Sequence, residues 1–325
     1  MARVLVALGG NAIRQPRERG TAAEQIANID RTSAHIAEMI VAGHEVVITH
    51  GNGPQVGNIL LQNELARGKV PAMPLDICGA ESQGELGYLI QQSLANELQR
   101  RGQPRDVVTV LTRTLVDKND PAFRRPSKPV GPFVTAAEAE QRERAHGEVW
   151  VEDAGRGWRR VVPSPQPLAI VEAEVIARLS AQGVIVIAAG GGGVPVVMRP
   201  DGTLVGVEAV IDKDLAAARL GQQLGVEVLL ILTDVPGVAV GYGGPEPRFL
   251  RQTTVTELEE LMARGAFPAG SMGPKVAGAL AFLRGGGERA AICSLDEAEE
   301  CLAGRAGTQI TAPRTRTRLR EGRVA

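Results

Sequence analysis

Two lysines stand where a positive charge is unfavourable unless something negative is bound. Lys213 lies in IDKDLAAARLG and Lys275 in GSMGPKVAGAL, each within the first turn of a predicted helix. A helix N-terminus already carries partial positive charge, so a cation there costs about 0.3–1 kcal/mol in the absence of an anion. Lys128 sits between prolines in PSKPVGP, where fixed φ angles hold its stem in a defined direction. Only five of the 36 basic residues are lysine, arginine having taken nearly every other such position. A lysine kept against that bias is a candidate for work that needs a compact point charge instead of a planar fork. Lys69 and Lys118 lack comparable surroundings and read as surface residues.

Glycine supplies a second set of donors. Four apolar runs end in LGGNAI (8–13), THGNGPQVG (49–57), AAGGGGVP (188–195) and LTDVPG (232–237). Without Cβ atoms, backbone N–H groups approach an anion closely, and a helix start after the turn adds to the attraction. Four such loops at one sheet edge would cradle a polyanion. Asp214 is placed to orient lysine ammonium groups and Asp212 to cap the helix, although either could be a cap alone. Asp234 ends its strand facing a nucleotide or metal, or else serves the turn. None of the four histidines is paired by sequence with a nucleophile or a metal ligand. Phosphoryl transfer to an oxygen that is already anionic fits that absence, because it needs positioning and charge neutralisation more than proton removal. A Walker A loop is excluded, since Gly68-Lys69 is followed by valine, and a GxGxxG fingerprint is absent after the first strand.

The elements that must carry these residues alternate. Apolar runs at 4–8, 45–49, 107–111, 184–188, 227–232 and 290–293 are continuous, as strands covered on both faces require, so a mostly parallel sheet with helices on each side is predicted. Capping-box patterns at Thr21/Glu24, Thr135/Glu138, Thr254/Glu257 and Ser294/Glu297 mark helix starts. Helices are predicted over 22–41, 54–67, 82–101, 171–181, 213–224, 255–263 and 274–284. The stretch from about 115 to 167 breaks the rhythm with a Pro-rich turn, a short capped helix and a hairpin of 148–152 with 158–162, and reads as a small protruding lid inserted in a single domain, 1–325. A net charge of −1 gives no basic footprint for nucleic acid, and the Arg-rich stretch 314–323 reads as a solvated terminus. The three cysteines have neither disulfide-framework nor zinc spacing. No signal peptide and no membrane span is apparent, so a cytoplasmic location is expected.

Taken together, LGGNA, HGNGPQVGN, DPAFRRPSKPVGPF, AAGGGGVPV, GVEAVIDKDLAA, ILTDV and GSMGPKV resemble, in this order and across essentially the whole chain, the carbamate kinases of the amino acid kinase superfamily. Acetylglutamate kinases and aspartokinases usually carry a lysine where this sequence has Ala7, which argues against those relatives. The resemblance implies a three-layer α/β/α sandwich with a protruding lid subdomain, a homodimer, and reversible conversion of ATP and carbamate to ADP and carbamoyl phosphate. It implies that Gly9, Gly10, Asn11, Gly51, Asn52 and Gly53 surround the carbamate group. Lys128, Lys213 and Asp214 would be catalytic, the lysines neutralising the transferred phosphoryl and Asp214 organising them. Lys213, Thr233, Asp234, Met272, Lys275, Gly190 and Gly191 would hold the nucleotide, with Mg2+ carried mainly on its phosphates and no protein metal site. Another small-carboxylate kinase and a non-catalytic nucleotide-binding regulator are the alternatives. The loop after Asp234 leaves the adenine pocket open.

Overall fold

Val4, Leu5, Val6, Ala7 and Leu8 are all buried, which a strand shows only when both of its faces are covered. The computed structural model describes residues 1–15, 18–152, 155, 157–242, 247–267 and 272–312, excepting the Asn11 side chain, and sets this strand inside an eight-stranded sheet. Across the sheet the order is Gln252–Thr254, Thr308–Thr311, Arg289–Ser294, Val228–Thr233, Arg3–Leu8, Glu45–His50, Ile185–Ile187 and Val107–Thr109. All neighbours are parallel except Arg289–Ser294 with Thr308–Thr311.

The helices are α1 (Ala22–Val41), α2 (Gly53–Ala66), α3 (Leu75–Arg100), α4 (Ala136–His146), α5 (Ala173–Ala181), α6 (Lys213–Leu224), α7 (Val255–Ala263), α8 (Met272–Arg284) and α9 (Ala298–Leu302). Alternate residues of the first strand face different layers. Val4, Val6 and Leu8 pack with Ile29 and Ile36 of α1 and with Leu86, Ile90 and Leu94 of α3. Leu5 and Ala7 join Ile176 of α5, Leu220 of α6, Leu258 of α7 and Phe282 of α8. The result is the expected α/β/α sandwich, with a mainly aliphatic core on each side of the sheet.

Capping boxes form at Thr21, Thr135 and Thr254, each threonine hydroxyl accepting from the N–H three residues on. The fourth does not form. Ser294 donates its hydroxyl to Glu297 at 2.9 Å and caps no helix, because a 3-10 turn, Leu295–Glu297, intervenes before α9. Helix α3 begins seven residues before its predicted start: Pro74 at its N-cap offers no side-chain acceptor, and Gly79 and Gly84 blur its opening turns.

Between 115 and 167, Trp158–Val162 lies at the centre of a three-stranded antiparallel sheet, flanked by Val149–Glu152 and Lys128–Val134. The hairpin follows the sequence expectation, with 153, 154 and 156 of its turn outside the described residues. Of the Pro-rich segment expected as a turn, Pro121–Phe123 forms a 3-10 turn and Lys128–Val134 an edge strand. Pro129 and Pro132 have no N–H to give, which an edge tolerates, and the register shifts between Val130 and Val134 around Gly131, whose φ is +72°. The predicted terminal stretch 314–323 also lies outside the described residues. Among the described residues no helix is long and apolar enough to cross a membrane.

Candidate active site

Because the strands that carry the glycine loops run parallel, their C-terminal ends share one edge of the sheet, and α6 and α8 open toward it. Lys213 is the first residue of α6, and Asp212 is its N-cap, accepting from the Asp214 N–H at 3.0 Å and the Leu215 N–H at 3.4 Å. Lys213 Nζ donates to Asp214 Oδ1 at 2.6 Å. The Lys213 stem crosses Gly51, where a Cβ would lie 3.3 Å from Lys213 Cδ and 3.7 Å from the Gly10 nitrogen. One ammonium stem and the first two glycine loops therefore converge, and any side chain at position 51 would crowd them.

Lys128 arrives from the three-stranded antiparallel sheet, and its Nζ donates to Asp212 Oδ2 at 2.8 Å. Helix α8 packs against α6 so closely that a Cβ on Gly278 would lie 2.7 Å from the Asp214 carbonyl oxygen. This contact brings Lys275, in the first turn of α8, into the same electrostatic field. Burial first, and then the Lys213 ammonium, push the Lys275 amine below its ordinary value, against the pull of Asp214, Asp234 and Asp212. Burial pushes the Asp212 carboxyl up, but Lys128, Lys213 and the Asp214 N–H more than offset it and leave it below the usual carboxylate range. Three ammonium groups (Lys128, Lys213, Lys275) and three carboxylates (Asp212, Asp214, Asp234) are thus linked in one balanced cluster.

The glycine run after Ile185–Ile187 makes room for two side chains of the neighbouring loop. A Cβ on Gly190 would collide with the His50 ring, and one on Gly191 with the Asn52 amide. Gly191 also has φ +63°, which a glycine adopts without strain. Ala189, just before, holds φ +52°, stabilised by Thr49 Oγ1 donating to its carbonyl at 2.9 Å and by its own N–H donating to Thr112 Oγ1 at 3.0 Å. Asn52 caps the start of α2 in sequence, yet its amide donates to Ser82 Oγ at 2.7 Å, pinning the loop to α3. Gly53 is the first residue of α2, and Gly9 lies so close to Leu232 that a Cβ would be 2.9 Å from its carbonyl oxygen. Asn11 lies in the 3-10 turn Gly10–Ala12, its side chain outside the description.

His50 is the residue that its sequence context conceals most. It closes the strand Glu45–His50 fully buried, and burial drives its pKa down to about 4; the Gly51 carbonyl beside it opposes the shift and the Lys213 charge adds to it. The ring is neutral at physiological pH, with Nδ1 3.1 Å from the Gly51 oxygen.

Thr233, Asp234, Met272 and Lys275 line a cavity of about 200 Å³ together with Val235, Gly237, Ala239 and Tyr242. The loop after Asp234 thus contributes part of the wall of this cavity. Gly190 and Gly191, predicted for the nucleotide, lie against His50 and Asn52 of the loop predicted for the acceptor. Among the described residues no group of three or more His, Cys, Asp or Glu is assembled as a metal cage.

Residues 2–294 match the family model for the amino acid kinase family. The carbamate kinase of Pyrococcus horikoshii is 53% identical over 311 residues, covering 95% of this chain and 99% of that protein. Carbamate kinase 2 of Enterococcus faecalis is 45% identical, covering 94% of this chain and 98% of that protein. Among solved structures, carbamate kinase from Giardia lamblia bound to AMP-PNP superposes with a TM-score of 0.90 at 45% identity, covering 96% of this chain and 99% of that one. With the motif order, the sheet topology and these full-length likenesses in agreement, the chain belongs to the amino acid kinase family, within its carbamate kinase branch.

Proposed function

We propose that the chain catalyses reversible phosphoryl transfer, ATP + carbamate = ADP + carbamoyl phosphate, working chiefly toward ATP. The observation that carries this reading is the convergence of Lys213, Lys128 and the loops at Gly10 and Gly51 on one helix start. Both the donor and the acceptor oxygen are anionic, so the transferred group needs its charge spread and its path fixed more than it needs a base.

In this reading Lys213 and Lys128 neutralise the equatorial oxygens of the phosphoryl in flight, and Asp214 holds the Lys213 ammonium in place. Gly9, Gly10, Asn11, Gly51, Asn52 and Gly53 surround the carbamate, and Gly190 and Gly191, packed beside that loop, contribute to nucleotide binding. The nucleotide lies along Thr233, Asp234 and Met272 with its phosphates toward Lys275; the nearby cavity has the apolar walls a base needs. The AMP-PNP bound by the Giardia relative supports a nucleotide there. Mg2+ fits as a passenger on the nucleotide phosphates, screening their charge, with Asp214 and Asp234 the carboxylates available to it. The segment 115–167 acts as the lid that delivers Lys128. The family resemblance supports a homodimer, and three buried free cysteines suit a reducing, cytoplasmic setting.

Coupled measurement of ATP formed from ADP and carbamoyl phosphate tests the proposal. Wild-type turnover should exceed that of Lys213→Ala by about a thousandfold or more; turnover equal to the variant's, or a screen in which acetylglutamate or aspartate outperforms carbamate, overturns it.

A further inference from the structure

Asp212 is engaged through both carboxylate oxygens, and the two engagements belong to different parts of the molecule. Oδ1 receives the first N–H groups of α6, from Asp214 and Leu215. Oδ2 receives the ammonium of Lys128, which comes from the edge strand Lys128–Val134 of the lid sheet. The Asp212 side chain is 14% exposed and that of Lys128 34%, so this ion pair is only partly screened by water. A free Lys128 would not stay there. Its long stem has rotamer freedom to lose, the Lys213 ammonium on the same carboxylate repels it, and the α6 dipole repels it again.

We infer that Asp212, beyond capping α6, is a positioning residue for Lys128, holding the lid's ammonium at the phosphoryl-transfer site before any phosphate arrives; this rests on the function proposed above. Its cap hydrogen bonds fix the carboxylate relative to Lys213, so Lys128 is placed against the same helix start that carries the other catalytic ammonium. On arrival of the phosphoryl group Lys128 changes partner by a short swing of its terminal carbons, keeping its proton, while Asp212 remains clamped by the helix. Helix capping and lid delivery would then share a single side chain.

Asparagine caps helices as well as aspartate, but with its one oxygen on the cap it turns an uncharged NH2 donor toward the Lys128 ammonium, so Asp212→Asn separates the two tasks. The expected result is a fall in kcat of about tenfold to a hundredfold, an ADP KM within about twofold of wild type, and an unchanged melting midpoint. In a Lys128→Ala background the same substitution should cost less than about twofold further. A readout independent of turnover is the labelling of Lys128 by a water-soluble amine reagent, followed by peptide mass spectrometry. Labelling should rise several-fold in Asp212→Asn. A wild-type kcat in the variant, an equal loss with and without Lys128, or unaltered Lys128 labelling overturns the inference. If the wild type itself makes no ATP, the proposed function fails, and the labelling arm still reports whether Asp212 holds Lys128.

Discussion

His50 is uncharged near neutrality, as its burial and the nearby Lys213 charge require. Its folded pKa of about 4 lies below the ordinary value of 6.5, so the unfolded chain takes up the proton first as pH falls. The stability due to the neutral ring is therefore complete above about pH 6.5 and is lost progressively as pH falls toward 4. The loss amounts to about 3 kcal/mol when complete. Urea unfolding across that interval should show the slope, and His50→Gln should flatten it. For Lys128, removal of the ammonium in Lys128→Ala should lower kcat by about a hundredfold or more while ADP affinity changes little, as steady-state kinetics and calorimetry with ADP would establish. The lysines were legible in the sequence because arginine had displaced lysine almost everywhere else. His50 was not, since its depressed pKa comes from burial and from the charge of Lys213, a residue 163 positions away in the chain, neither of which a local motif expresses.

Helices α6 and α8 meet at a glycine, and through that contact an element far from the strand loops sets the position of Asp214. Gly278→Ala would force its methyl against the Asp214 backbone. A loss of about 1–3 kcal/mol in urea unfolding is expected, together with a lower kcat as the Asp214–Lys213 pair is displaced. The helices announced themselves wherever a threonine capping box stood at their start, as at α1, α4 and α7. They did so poorly at α3, which starts without a capping side chain. The two short strands Gln252–Thr254 and Thr308–Thr311 carry mostly polar residues, and pairing with Arg289–Ser294 and with each other defines them more than their own composition does. The edge strand Lys128–Val134 was hidden by its prolines, which only the absence of a neighbour on one side makes tolerable. Glycine loops likewise reveal that a backbone must come close to something, but the nature of that neighbour is a tertiary fact. Gly190 and Gly191 accommodate protein side chains.

At the scale of the molecule, continuous apolar runs were enough to indicate a buried parallel sheet between two helical layers, because strands exposed on one face would have alternated. The order of strands and the pairing of Lys128 with Asp212 depend on contacts between segments far apart in the chain, and the clustering of charge depends on them too. That cluster has its own consequence. Lys128, Lys213 and Lys275 are matched one for one by Asp212, Asp214 and Asp234, and the whole chain carries a net charge of only −1. Seen from beyond a Debye length, the cleft is almost neutral, and its pull on an incoming anion begins only on contact. Capture should therefore be nearly indifferent to ionic strength, with kcat/KM for carbamoyl phosphate varying less than about twofold between about 0.05 M and about 0.3 M salt. A stopped-flow salt series would reveal a steep decline if long-range attraction were gathering the substrate; a flat profile would mean that molecules reach this catalyst by unaided diffusion.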